Sequence, residues 1–178
     1  MKSLSRVLLA AYSAILTWLI LFKFSVHIAS VLNYDKRSVN LVPFSNSSGT
    51  SGEIIDNVLV FIPLGLLLAV NFKHLGLWRK LLVLLVFSLT MEVTQYIFAI
   101  GASDITDVVT NTAGGLIGLT TYALGGKFIS QESLDRFILT VGGVLLVLFL
   151  LFLGTVEIRH GVRYHSGSAL AMPSSSCW

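Results

Sequence analysis

Long stretches without charge constrain this chain more than any other feature. Residues 7–22, 57–72, 108–126 and 137–156 carry no Asp, Glu, Lys or Arg, and 81–103 is interrupted only by Glu92. A helix rises 1.5 Å per residue, so about 20 mostly apolar residues cover the hydrocarbon of a bilayer. The rest of the composition agrees: 54% of the residues are hydrophobic and 12% charged, against roughly 25% charged in an ordinary soluble domain. A small soluble protein has too much surface to cover with so few charges. A soluble enzyme, a nucleic-acid reader and a disordered tail protein are excluded. The expected fold is all-α, a polytopic membrane bundle of about five transmembrane helices near 7–28, 54–72, 80–99, 105–125 and 137–156. Strands are not expected on these runs, because open strand edges are not tolerated in lipid.

The start of the chain resembles a signal peptide, with Lys2 and Arg6 before an apolar stretch. No small-x-small site follows, and Phe22, Lys23 and Phe24 stand where one would be. An uncleaved first span is expected. The 31–53 linker is polar, and Ser45-Asn46-Ser47-Ser48-Gly49 reads as loop. The tail, 157–178, is rich in serine and expected to be a poorly ordered outer segment.

Basic residues set the expected direction. With the N-terminus cytoplasmic, the inner segments hold Lys2, Arg6, Lys73, Arg79, Lys80, Lys127 and Arg136. The outer segments hold Lys36, Arg37, Arg159 and Arg163. An odd number of spans then places the C-terminus outside. The expected localisation is the cell (cytoplasmic) membrane, multi-pass. The formal net charge of +3 gives no reason to expect nucleic acid as a partner; membrane lipids are the expected surroundings. The lone cysteine, Cys177, excludes an intrachain disulfide and a thiolate metal cluster. The four histidines form no ligand pattern. Nothing signals haem, flavin or nucleotide; a bound cation stays open.

The fourth span is the least apolar. Gly114 and Gly118 are four residues apart, a small-xxx-small face that lets another helix approach closely. This span is expected at the bundle centre, with the first and fifth spans at the periphery.

Glu92 is the most informative residue. A carboxylate in hydrocarbon is costly, and such residues face the bundle interior or a wet cavity. Gln95 follows at i+3 on the same face. Asp104, Asp107 and Asn111 form one stripe at the start of the fourth span, where Asp104 or Ser103 also suits an N-cap. Asp56 and Asn57 open the second span, which contains Pro63. With the N-terminus inside, all of these groups lie on the outer side. Asn40, Asp56, Asn57, Glu92, Gln95, Asp104, Asp107 and Asn111 are therefore expected to line one outward-facing, acidic, ligand-binding pocket. The bland alternative is polar glue between helices. Glu92, Asp104 and Asp107 are the candidates for acid–base chemistry if the protein is an enzyme, which the residues leave open.

Three runs carry a resemblance. They are Asn40-Leu41-Val42-Pro43-Phe44, Asn57-Val58-Leu59-Val60-Phe61-Ile62-Pro63-Leu64-Gly65, and the pair Glu92-Val93-Thr94-Gln95 with Asp104-Ile105-Thr106-Asp107 through Asn111, Gly114 and Gly115. In this order they resemble the VanZ-like family, over a core of 40–125 within a transmembrane domain of 1–156. The resemblance implies a cell-envelope protein associated with resistance to the glycopeptide teicoplanin. It supplies no mechanism and says little about the fifth span and tail. An envelope precursor or a glycopeptide is the implied ligand. Two other functions remain open: an integral-membrane enzyme acting on a lipid or envelope polymer, and a small transporter. Oligomeric state is not legible.

Overall fold

The structure is a computed structural model that describes residues 2–22, 38–45, 51–99 and 102–169. The expected end of the first span at 23–28, most of the 31–53 loop with Lys36 and Arg37, and residues 170–178 lie outside these. The described elements are α1 (Lys2–Phe22), β1 (Ser38–Asn40), α2 (Ser51–Asn71), α3 (Leu77–Phe98), β2 (Ala102–Asp104), α4 (Ile105–Phe128) and α5 (Gln131–Ala169). The chain divides into two compact units, residues 1–140 and 141–178. The packing described here lies within the first.

Five helices match the five expected in order and position. Their ends differ most in the last, where α5 continues past residue 156 to Ala169. Four of them are long and apolar enough to cross a membrane: α1, α2, α3 and the Gln131–Leu151 part of α5. With 24 residues, α4 has the length but not the composition. Asp107, Asn111 and its threonines lower its hydropathy, and the physical reason is its position. It packs most extensively on α2 and next on α3. Thr106, Thr110, Asn111, Gly114, Gly115 and Gly118 are all buried there. On that face the helix meets protein, so small and polar side chains are tolerated there.

The α2–α4 contact is backbone against backbone. A Cβ added at Gly114 would stand 2.2 Å from the Val58 carbonyl oxygen, and one at Gly118 would stand 2.2 Å from that of Ile62. Gly65 answers from the other side, 2.2 Å from the Gly115 oxygen. The pairs 58–114 and 62–118 run in the same sense, so α2 and α4 are parallel. The short linkers make α3 antiparallel to both. Phe61 fills the space between α2 and α3 and meets Phe87 edge-on, with centroids 6.1 Å apart. Pro63 removes one helix donor, yet α2 continues through it. Nearby, Tyr12 of α1 donates to the Val60 carbonyl at 2.7 Å. As expected, α1 and the Gln131–Leu151 helix are the least buried of the four apolar helices. On α3, Leu85, Val86, Leu89 and Val93 point outward, as they would toward lipid.

The all-helical expectation holds, and one short strand pair accompanies the helices. β1 and β2 pair in parallel, with Ser38 opposite Ala102, Val39 opposite Ser103 and Asn40 opposite Asp104. The pair lies between two linkers at a helix end and not within a helix run, so its edges need no lipid.

Candidate functional site

The described bases of the first unit gather at one end, where Glu132 and Asp135 pair with Arg136 and Lys73, and its other described acids gather at the opposite end. Lys2, Arg6, Lys73, Arg79, Lys80, Lys127 and Arg136 all fall where α1, α3 and α5 begin and α2 and α4 finish. At the opposite end stand Glu53, Asp56, Glu92, Asp104 and Asp107, with no Lys or Arg among the described residues.

At the acidic end the site is built outward from the buried stripe of α3. Ser88, Glu92 and Gln95 follow at offsets of four and three on one face, and all three are buried. Ala99, in the left-handed region with φ 54°, closes the helix by donating its N–H to the Gln95 and Tyr96 carbonyls. The chain then turns back through β2. There Ser103 Oγ donates to the Glu92 carbonyl at 2.8 Å, and the Asp104 N–H donates to Glu92 Oε2 at 2.9 Å. The Glu92 carboxylate is thereby anchored to the start of α4.

Asp104 caps that helix. Its Oδ1 accepts the Thr106 N–H at 2.8 Å, and its Oδ2 accepts Asn40 Nδ2 at 3.0 Å. Asn40 also donates to Ser45 Oγ, and its own Oδ1 accepts the Val42 N–H at 3.2 Å. The Phe44 N–H reaches Thr106 Oγ1 at 3.0 Å. These bonds tie the Asn40–Ser45 segment to the top of α4. One turn further along, Asp107 Oδ1 accepts Asn57 Nδ2 at 2.8 Å, linking α4 to α2. Asn111 Nδ2 donates to Ser88 Oγ at 2.9 Å, linking α4 to α3. Gln95 Nε2 donates to the Ile20 carbonyl at 2.9 Å, linking α3 to α1.

Of the eight residues expected to converge, six line one cavity of about 220 Å³: Asp56, Asn57, Glu92, Gln95, Asp107 and Asn111. Glu53 joins them, and Leu19, Ile20 and Val60 complete the wall. Asn40 and Asp104 line a second cavity of about 230 Å³, with Tyr96, Ser103 and an otherwise apolar surround. Glu92 borders both. The single expected pocket is therefore two cavities that share a carboxylate. The reason is the β1–β2 pair, which draws Asn40 and Asp104 to the other side of Glu92.

Two acceptors in the first cavity stand out. Gln95 Oε1 and Asn111 Oδ1 are buried and have no hydrogen-bond partner among the described residues. The Gln95 amide cannot be turned round to relieve this, because its nitrogen is held by a carbonyl that only accepts. A buried acceptor left unmet costs about 1–3 kcal/mol. Both side chains line the same cavity as the carboxylates of Glu53, Asp56, Glu92 and Asp107, so acceptors dominate its polar lining. Among the described residues, no group of three or more His, Cys, Asp or Glu is arranged to hold a metal ion.

Ser88, Thr106 and the α1 residues Leu19 and Ile20 are not singled out by the sequence, and Ser103, expected there only as an N-cap, instead donates to the Glu92 carbonyl. Ser88 shares the stripe of Glu92 and Gln95, so helical spacing alone could have found it. Nothing local signals Ile20, whose contribution is a backbone carbonyl.

Comparison with known proteins agrees with this layout. The profile of the VanZ/LLP1 family matches residues 9–126, which runs from α1 almost to the end of α4 and stops short of α5. Protein VanZ of Enterococcus faecium is 54% identical over 159 residues, covering 89% of this chain and 98% of the relative. No solved structure matches the chain significantly.

Proposed function

We propose, for a chain that belongs to the VanZ/LLP1 family, that the acceptor-lined cavity binds a lipid or cell-wall-linked ligand at the outer face of the cytoplasmic membrane and so lowers susceptibility to teicoplanin. The observation that carries this reading is an acceptor-rich wall: Glu53, Asp56, Glu92 and Asp107 line one cavity with Gln95 and Asn111, two side chains whose amide oxygens are buried and unmet among the described residues. Such a wall selects a ligand that brings donors, an ammonium or a set of hydroxyls. Leu19, Ile20 and Val60 offer the same ligand an apolar side. Asp104 has a different role in this reading. Its oxygens serve the cap and Asn40 and its backbone N–H holds Glu92, so it positions that carboxylate and does not contact ligand.

The direction follows from the charge separation. Basic ends stay cytoplasmic, which puts the N-terminus inside and opens the acidic cavity outward, where wall precursors and glycopeptides are met. With α4 counted as the fifth crossing, buried at the centre, the C-terminus lies outside.

The test compares teicoplanin susceptibility of cells expressing the wild type, Glu92→Gln or Asp107→Asn at matched membrane levels. The wild type is expected to lower susceptibility, and each variant to lose most of that effect. In parallel, purified protein is titrated with teicoplanin and with a lipid-linked wall precursor, and each substitution is expected to weaken binding about tenfold, the loss of one charge-assisted hydrogen bond. A wild type indistinguishable from empty cells removes the resistance reading. Binding unchanged by both substitutions removes the cavity.

A further inference from the structure

The opposite end of the same unit holds a larger cavity, of about 620 Å³, that the function above does not use. Lys2, Arg6, Lys73 and His74 line it, with Val70 and Leu139 as its apolar part. Asp135 also lies there, but it is already engaged. Its carboxylate pairs with Lys73 on one oxygen and accepts the Tyr122 hydroxyl at 2.8 Å on the other. Among the described residues, Lys2 and Arg6 have no ion-pair partner. The cavity is therefore a cationic recess at a helix end, with its one acid neutralised.

We infer that this recess binds the phosphate headgroup of an anionic membrane lipid. Two observations favour a lipid over a free anion. The recess sits where α1 begins and α2 finishes, at the level of the outermost turn of a helix long enough to cross a bilayer. Beside its cationic residues on α1, Leu4 and Val7 are 55% and 62% exposed. A headgroup held by Lys2 and Arg6 would lay its acyl chains along that apolar surface. Basic residues near a membrane surface attract anionic lipid by an amount equivalent to about fivefold in affinity each, and the attraction fades within a Debye length.

The full chain in nanodiscs is titrated with phosphatidylglycerol in a phosphatidylcholine background, with phosphatidylcholine alone, and with inorganic phosphate. Phosphatidylglycerol is expected to bind preferentially. Lys2→Gln and Arg6→Gln should each weaken it about fivefold, and the double variant about 25-fold. Both side chains are exposed, and size-exclusion profiles check that the variants remain folded. Should they not, the wild type alone decides, since its preference must fall as salt rises. Equal binding of the two lipids, binding indifferent to both substitutions, or a salt-independent preference overturns the proposal. Inorganic phosphate that protects the protein as well as phosphatidylglycerol does overturns the lipid assignment in favour of a soluble anion.

Discussion

Glycine decides the closest contact in this bundle, and it does so by lacking a carbon atom. Gly118→Ala would set a Cβ 2.2 Å from the Ile62 carbonyl oxygen, with further backbone of α2 at 2.9 Å. Backbone cannot swing aside as a flexible side chain does, so α2 and α4 must part. Overpacking of this kind costs about 1–3 kcal/mol. Gly142→Ala is the control, because its new Cβ meets nothing within 4 Å and alanine gains up to about 1 kcal/mol of helix propensity. Thermal melts in detergent should show Gly118→Ala clearly destabilised and Gly142→Ala unchanged or slightly stabilised. The same residues show what a sequence discloses at this scale. The four-residue spacing of Gly114 and Gly118 announces a close face, and Glu92 announces itself by its charge in an apolar run. Val58 and Ile62, the backbone partners, carry no mark, because any residue supplies a carbonyl.

The start of α4 depends on Asp104, whose two oxygens do separate jobs. One caps the helix through the Thr106 N–H and the other holds Asn40. Asp104→Ala should lose both, with about 0.5–2 kcal/mol from the cap alone. Asp104→Asn keeps an acceptor for the cap and presents an amide donor to Asn40 Nδ2, so it should cost less globally while loosening the Asn40–Ser45 segment. Hydrogen exchange over 38–45 distinguishes the two outcomes. A second link between elements is sensitive to pH. The Asp135 carboxylate, hydrogen-bonded to Lys73, raises the Lys73 pKa above the ordinary value of 10.5. A cation whose pKa is raised on folding stabilises the fold fully below its unfolded pKa and loses that contribution as pH rises through the folded one. The melting temperature should therefore fall more steeply above about pH 10.5 in the wild type than in Lys73→Met. The difference should be small, a few degrees at most, since the Lys73 side chain is 43% exposed. Helix positions were legible because charge-free runs are long and unmistakable. The β1–β2 pair was not, since three residues on each side carry no period and their partner lies more than sixty positions away.

At the scale of the molecule, the described residues of the first unit are polarised, with all seven of their bases at one end and five of their seven acids at the other. The sequence already contained this separation, but only the parallel packing of α2 and α4 turns it into geometry. Val58 against Gly114 and Ile62 against Gly118 fix both helices in one direction, so Asp56 and Asp107 must share an end. Tyr12 against Val60, together with Asn71 Nδ2 donating to the Ser5 carbonyl at 3.1 Å, sets α1 antiparallel to α2 and brings Lys2 and Arg6 to the basic end. What single-residue reading cannot supply is which side of the membrane each end faces, and the positive-inside rule makes a definite choice. With Cys177→Ser as background, Ser51→Cys reports the acidic end and Gly76→Cys the basic end. Both positions are exposed, and Gly76 has an extended backbone, φ −63° and ψ 158°, that cysteine accepts without strain. A membrane-impermeant maleimide applied to intact cells should label Ser51→Cys at once and Gly76→Cys only after the membrane is opened. The reverse pattern would turn the acidic cavity toward the cytoplasm, away from any wall precursor. It would then leave the cationic recess facing outward, where a headgroup from the outer leaflet, and not the inner one, would be its ligand.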